Sequence, residues 1–281
     1  MADFNPKFRI VSIADVPVTA ELMTKLPEGT AYQEALADMS CPGLAFPSDI
    51  DIPDGSIALH PIFGIVTWAS RWYFSTEKFI ANLKAAEENP AIIAHLIRID
   101  SPGGEAFGCH EAFVAVKQLK KPCIAIIDSI CASGAYWIAC AADKIYASSM
   151  FSEIGSIGAM GIIRSERKWM EKQGFEEIVC YSKHSDLKNK LGRDVLDGHP
   201  EEYISRMLDP LAEQFIADVR STRKIQDGSE AMRGQIFYAA NAQSENLIDG
   251  EMSVCDAISI IISKAEADKD ININNLNIIL E

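Results

Sequence analysis

The stretch from Cys123 to Asp143, CIAIIDSICASGAYWIACAAD, decides the fold. Ile124-Ala125-Ile126-Ile127 has the length and β-branched content of a buried strand. Asp128-Ser129 breaks that run. From Ser133 the chain turns to alanine and bulky apolar residues, the composition of a helix packed among other elements. Ser133 therefore falls at the first turn of a helix that follows a buried strand. There the unpaired amides and the positive end of the helix favour an oxyanion, which suits a nucleophile. The same residues have a plainer reading, because serine is a common N-cap and Ser-Gly a common turn pair. A membrane span is a third reading for a window of about twenty residues, and Asp128 with its neighbouring turn residues argues against it.

The surrounding composition narrows the function classes. At 281 residues and 48% hydrophobic, the chain can bury a sizeable core in one large or two small domains. Its 26 Lys and Arg against 40 Asp and Glu give a net charge of -14, with no strongly basic run to neutralise phosphates, so nucleic acid is not an expected partner. The seven cysteines are odd in number, lack a C-x-x-C pair and mostly sit in apolar segments, which reads as buried thiols in a reducing compartment. The opening MADFNPKFRI has no basic region followed by an apolar one, so no signal peptide is expected. A soluble, cytoplasmic protein follows.

Residues 1–54 read as an N-terminal extension in which Pro17, Pro27, Pro42, Pro47 and Pro53 disfavour long regular elements; Ala31–Ala37 is its one candidate helix. Residues 55–262 form the main α/β domain, and 263–281 a polar, Asn-rich tail. Within the domain, Ser56–Ile62 and Gly64–Val66 are strand-like, and Ser75 caps a helix with Phe79, Ile80, Leu83 and Ala86 on one face. Ile92–Ile99 is the next strand, Asp100-Ser101-Pro102-Gly103-Gly104 breaks it, and a helix spans Glu111–Leu119 before Lys121-Pro122 leads into Cys123. Strand and helix alternating at this spacing predict βαβ units and a parallel sheet.

Gly103-Gly104, where a strand ends and a helix is about to begin, can approach a ligand closely or simply make a tight turn. Parallel sheets bind ligands at the carboxyl ends of their strands, which places this pair on the same edge as Ser133. Further along, Gly155, Gly158 and Gly161 suit a close-packed crossing but match no dinucleotide or P-loop spacing. Arg167–Gln173 reads as a helix, Ile178–Ser182 as a strand, and 183–190 as a polar loop. An amphipathic helix over Glu201–Arg223 is expected to kink or restart at Pro210. Gln235-Ile236-Phe237 is strand-like, and a last helix runs through Ile262.

A serine hydroxyl needs a base. His95, His110 and His184 are each open to a structural reading, and no clustered ligand set points to a metal. A lysine serves if burial disfavours its charge. Here the motifs combine. Ile99–Gly104, Lys121-Pro122, Cys131–Ala139, Gly155-Ser156-Ile157-Gly158, and later Gly234–Phe237 with Leu247-Ile248-Asp249, resemble in order and spacing the S49 peptidase family, which includes signal peptide peptidase A and phage and prophage capsid-maturation proteases.

The resemblance implies a ClpP/crotonase-like α/β fold and a Ser-Lys dyad working without a cofactor or metal. Ser133 would be the nucleophile, and the amides of Gly103 or Gly104 and of Gly134 the oxyanion hole. Tyr181–Asn189 departs from the family's register around the base, so Lys188 is the first choice, Lys183 the second and Lys190 a distant third. The implied substrate is a protein or peptide, in the phage type a scaffold or capsid protein, with a housekeeping peptidase or an inactive assembly component of the same fold as alternatives. No membrane span is expected, and self-association into a homo-oligomer is implied.

Overall fold

The computed structural model describes residues 10–12, 52 and 54–278. Most of the proline-spaced N-terminal extension, including the candidate helix Ala31–Ala37, lies outside those residues. The described elements begin β1 (Ile10–Ser12), β2 (Ser56–Thr67), β3 (Phe74–Ser75), α1 (Thr76–Glu88), β4 (Ile92–Gly104), α2 (Cys109–Lys117), β5 (Cys123–Ala132), α3 (Gly134–Ala139), β6 (Lys144–Ala147) and β7 (Glu153–Gly155). Then come α4 (Arg167–Lys172), α5 (Lys190–Leu196), α6 (Glu201–Tyr203), α7 (Asp209–Thr222), β8 (Ile236–Tyr238), α8 (Ala239–Ser244), β9 (Gly250–Glu251) and α9 (Val254–Ile278). The strand order β1-β2-β4-β5-β6-β9 is parallel throughout, with β7 added beside the end of β5; only the β7–β8 pair is antiparallel. This is the α/β class with a mostly parallel sheet and flanking helices.

The sheet is buried on both faces, which explains the continuous apolar runs of its strands. Alternation along each strand divides two cores. Ile97, Ile99, Ala125 and Ile127 face α1, α2, α3 and α7, while Leu96, Ile124 and Ile126 face Ala257, Ile258 and Ile261 of α9. At the head of α1, the Ser75 side chain accepts from the Lys78 amide, as its sequence position predicts.

Four elements differ from the sequence reading. Asp128-Ser129 does not end β5, because the strand changes neighbours: Ile124–Ile127 pairs with β6 and Ile130–Ala132 with β7. Likewise Gly103-Gly104 is not a turn but the end of β4, opposite Ile65 and Val66 of β2; the turn to α2 follows it. No strand forms at Ile178–Ser182, where every residue is exposed and no neighbouring strand among the described residues offers a ladder. The final helix passes Ile262 and continues to Ile278, since Ala265 is buried against the sheet and Lys264 Nζ reaches Asp143 at 2.7 Å. Pro210 falls in the first turn of α7, after a π-helical turn over Ile204–Leu208.

Between β2, β4 and α1 lies a buried polar chain. His60 Nε2 is 3.0 Å from His95 Nδ1, and His95 Nε2 is 3.0 Å from a Glu87 carboxylate oxygen. Burial lowers the pKa of His60, and His95 beside it lowers it further. Burial also lowers that of His95, against the opposing pull of Glu87 and with a smaller push from Lys121. With both imidazoles depressed in the native state, the unfolded chain binds more protons once the pH falls below the ordinary imidazole value. Their contribution to stability is complete above about pH 6.5 and declines below it by up to ~1.4 kcal/mol per pH unit per imidazole. Urea unfolding between pH 7.5 and 5.5 is expected to show that decline, and His60→Gln to make it shallower. An unchanged slope in the variant contradicts the assignment.

Candidate active site

Ser133 stands between the last residue of β5 and the first of α3, half-buried at the carboxyl edge of the sheet. Its backbone has φ 52° and ψ -127°, a conformation that costs a non-glycine residue about 1–3 kcal/mol. Hydrogen bonds hold it there. The Ser133 amide donates to the Gly155 carbonyl at 2.9 Å, and its carbonyl accepts from Trp137 at 3.0 Å to open the helix. All six residues of α3, Gly134 to Ala139, are buried.

The end of β4 presses against this junction. Gly103 has φ +90°, and a Cβ built on it would lie 2.7 Å from the Ala132 carbonyl oxygen, 2.7 Å from Ser133 Cβ and 2.8 Å from the Gly134 nitrogen. Only glycine fits such an approach. The segment is anchored by Ser101, whose hydroxyl donates to the Gly64 carbonyl at 2.6 Å and accepts from the Gly103 amide at 3.1 Å. The Gly103 amide is thus occupied within its own strand end. The Gly104 nitrogen lies 3.8 Å from where a Cβ of Gly134 would stand, so the exposed Gly104 backbone and the head of α3 face each other. Cys109 Sγ packs against Gly134 as well, 2.9 Å from the same point. Ser101 and Cys109 carry this geometry without having stood out in the sequence. Ser101 lay inside the motif, and Cys109 resembled any buried thiol.

His184 is exposed, and the other two candidate histidines have other partners. His95 belongs to the buried chain with His60 and Glu87, and His110 Nδ1 pairs with Asp218 at 2.7 Å. Burial pushes the Cys109 thiol up to about 12, so it is protonated and unreactive. Among the described residues no group of three or more His, Cys, Asp or Glu side chains is placed to hold a metal.

The candidate lysines lie on a different kind of segment. Between Ile157 and Phe215 no residue is buried, and Lys183 and Lys188 are exposed. Large apolar side chains on this arm point outward, Met160, Trp169, Ile178 and Leu187 being 82%, 61%, 75% and 71% exposed. Lys190 is engaged by Asp194 and, at 2.6 Å, by Glu202, and these two carboxylates raise its pKa, opposite to what a base requires. Arg193 stacks over Tyr181 at 4.5 Å and donates to the Lys188 and Asp186 carbonyls, fixing the backbone around Lys188.

A serine held in strained backbone at the carboxyl edge of a parallel sheet, faced by a glycine-lined strand end, defines an α/β protein built around one hydroxyl. The chain belongs to Peptidase family S49, whose profile matches residues 115–270. It is 30% identical over 198 residues to "Serine protease SPPA, chloroplastic" of Arabidopsis thaliana, a match covering 67% of this chain and 28% of that protein. It is 26% identical over 201 residues to "Probable protease SohB" of Haemophilus influenzae, covering 70% of this chain and 54% of the relative. The chain thus spans about a quarter to a half of the length of these relatives. Among solved structures, a 1510-N membrane-bound stomatin-specific protease aligns at 15% identity and TM-score 0.43, covering 73% of this chain and 83% of that one.

The contact between strand end and serine yields a stability prediction. Gly103→Ala adds a side chain at positive φ against backbone atoms and is expected to cost at least about 2 kcal/mol in urea unfolding. A variant as stable as the parent contradicts the packing described.

Proposed function

We propose that this chain is a serine endopeptidase in which Ser133 attacks the scissile carbonyl and a lysine is the base. The observation that carries the reading is the junction itself: a hydroxyl beside the head of α3, with the exposed Gly104 backbone opposite. In the reaction, the base takes the Ser133 proton as Oγ bonds to the carbonyl carbon. The amides of Gly134 and Gly104 donate to the developing oxyanion, and Gly104 suits this better than Gly103, whose amide is held by Ser101. The proton passes to the leaving amine, and water then releases the acyl group by the same route.

Lys188 is the proposed base, with Lys183 as the second choice. A lysine takes up this role when burial disfavours its charge, yet the arm that bears both is exposed. Self-association of the chain through the apolar side chains of this arm would cover them and bury the lysine, which supports a homo-oligomer as the working form. The substrate is a protein or peptide bound in extended form at the sheet edge. The resemblance to capsid-maturation members supports scaffold or capsid proteins as natural substrates. Among the described residues no helix is long and apolar enough to cross a membrane.

Incubating the protein with an unfolded polypeptide and identifying fragments by mass spectrometry tests the proposal. Ser133→Ala is expected to lower cleavage by about a thousandfold or more while remaining folded, and Lys188→Ala to match it. Equal cleavage by Ser133→Ala overturns the reading. Full activity in Lys188→Ala with loss in Lys183→Ala moves the base to Lys183 and leaves the rest intact.

A further inference from the structure

We propose that Asp218 is a positioning residue for the Ser133 site, its buried carboxylate setting the spacing between the two backbone faces that receive the oxyanion. The inference rests on the serine-peptidase reading and assigns a role to a charged group which that mechanism leaves unused.

Asp218 lies on α7 and is 6% exposed. Its side chain accepts from three donors: Trp137 Nε1 at 2.7 Å, His110 Nδ1 at 2.7 Å and Gln214 Nε2 at 3.0 Å. The first two come from different helices with a common relation to the site. Trp137 is on α3, one turn after Ser133, and its amide is bonded to the Ser133 carbonyl. His110 is on α2, the helix that follows Gly104 after one short turn, and its neighbour Cys109 packs against Gly134. One carboxylate therefore ties the helix carrying one proposed oxyanion donor to the helix that follows the other. A second link runs parallel to it, from Lys117 of α2 to the Ser221 hydroxyl at 2.8 Å, which donates to the Asp218 carbonyl at 2.7 Å.

Holding the helices together does not by itself require a charge. Trp137 already stacks on Phe215 of α7, with ring centroids 4.5 Å apart and planes 6° from parallel. A well-packed apolar residue in place of a buried ion often leaves stability unchanged. What the carboxylate adds is direction. As an acceptor only, it fixes where the Trp137 N–H and the His110 Nδ1–H point, and stacked rings alone allow sliding. A misplacement of about 1 Å at a reacting group can cost a hundredfold in rate, so a clamp one helical turn from Ser133 acts on turnover through geometry. An amide keeps one oxygen for Trp137 and His110, which share Oδ2, and turns its N–H only toward Gln214, whereas leucine removes the acceptor from all three donors.

The test is steady-state hydrolysis of an unfolded polypeptide by the full chain, well below its melting temperature, with wild type, Ser133→Ala, His110→Ala, His110→Asn and Asp218→Leu side by side. His110 is half-exposed, so its variants are expected to fold. Asparagine retains a donor close to the Nδ1 position, and alanine does not. The expected result is a kcat lowered about tenfold in His110→Ala with KM within about twofold, and restored to near wild type in His110→Asn. Asp218→Leu, which leaves neither Trp137 nor His110 an acceptor, lowers kcat further and shifts the tryptophan emission. Cleavage by wild type but not by Ser133→Ala, with His110→Ala and His110→Asn indistinguishable in kcat, overturns the positioning role alone. No cleavage by wild type, or equal cleavage by Ser133→Ala, overturns the peptidase reading and the positioning role with it.

Discussion

The constraint on which the rest of the structure depends is the closeness of two backbones: Gly103 lies so near Ala132, Ser133 and Gly134 that no side chain fits between them. That approach requires β4 and β5 to run side by side up to their carboxyl ends, and it fixes which face of Ser133 is covered. The strained backbone at Ser133 persists because its surroundings over-determine it. The Gly155 carbonyl holds its amide, the first turn of α3 takes its carbonyl, and the Ser101 hydroxyl holds the opposing strand end in place. The buried bulk of α3 prevents the helix from relaxing away. An outlier held from several sides at a sheet edge is the kind of strain found at functional sites.

The two halves of the molecule differ in how completely they are packed. From β2 to β7 the sheet is enclosed by helices on both faces, and the buried histidine chain and the Asp218 clamp lie within that enclosed part. The arm between Ile157 and Phe215 has no buried residue and presents its apolar side chains outward. Large apolar side chains exposed in this number on one segment support the self-association proposed above. The proposed site is thus enclosed around the hydroxyl and open around the lysines, and the proposed self-association would cover the open part.

The sequence made the enclosed half readable. Apolar runs bounded by Ser75, Asn89 and Lys121-Pro122 locate the strands and helices from residue 56 to residue 147, because a sheet buried on both faces demands continuous apolar strands and its covering helices demand one apolar face. Ser133 stood out for its place between strand and helix. Other features depend on partners remote in sequence. Asp128-Ser129 resembles a break, yet β5 continues through it because a second neighbour, β7, takes over its pairing. Gly103-Gly104 resembles a turn because glycine pairs usually are turns, and only its pairing with Ile65 and Val66 of β2 shows it to be a strand end. Ile178–Ser182 has the composition of a strand and no neighbour among the described residues to pair with. Asp218, one acid among many on a helix, gains its meaning from donors at positions 110 and 137.

The central claim is that Ser133 forms a covalent acyl intermediate. The direct measurement is to quench turnover of a peptide ester with acid and locate any added acyl mass by peptide mapping. The account predicts the acyl group on the peptide containing Ser133 and none in Ser133→Ala. Acyl mass on another residue, or hydrolysis of the ester with no dependence on Ser133, contradicts it.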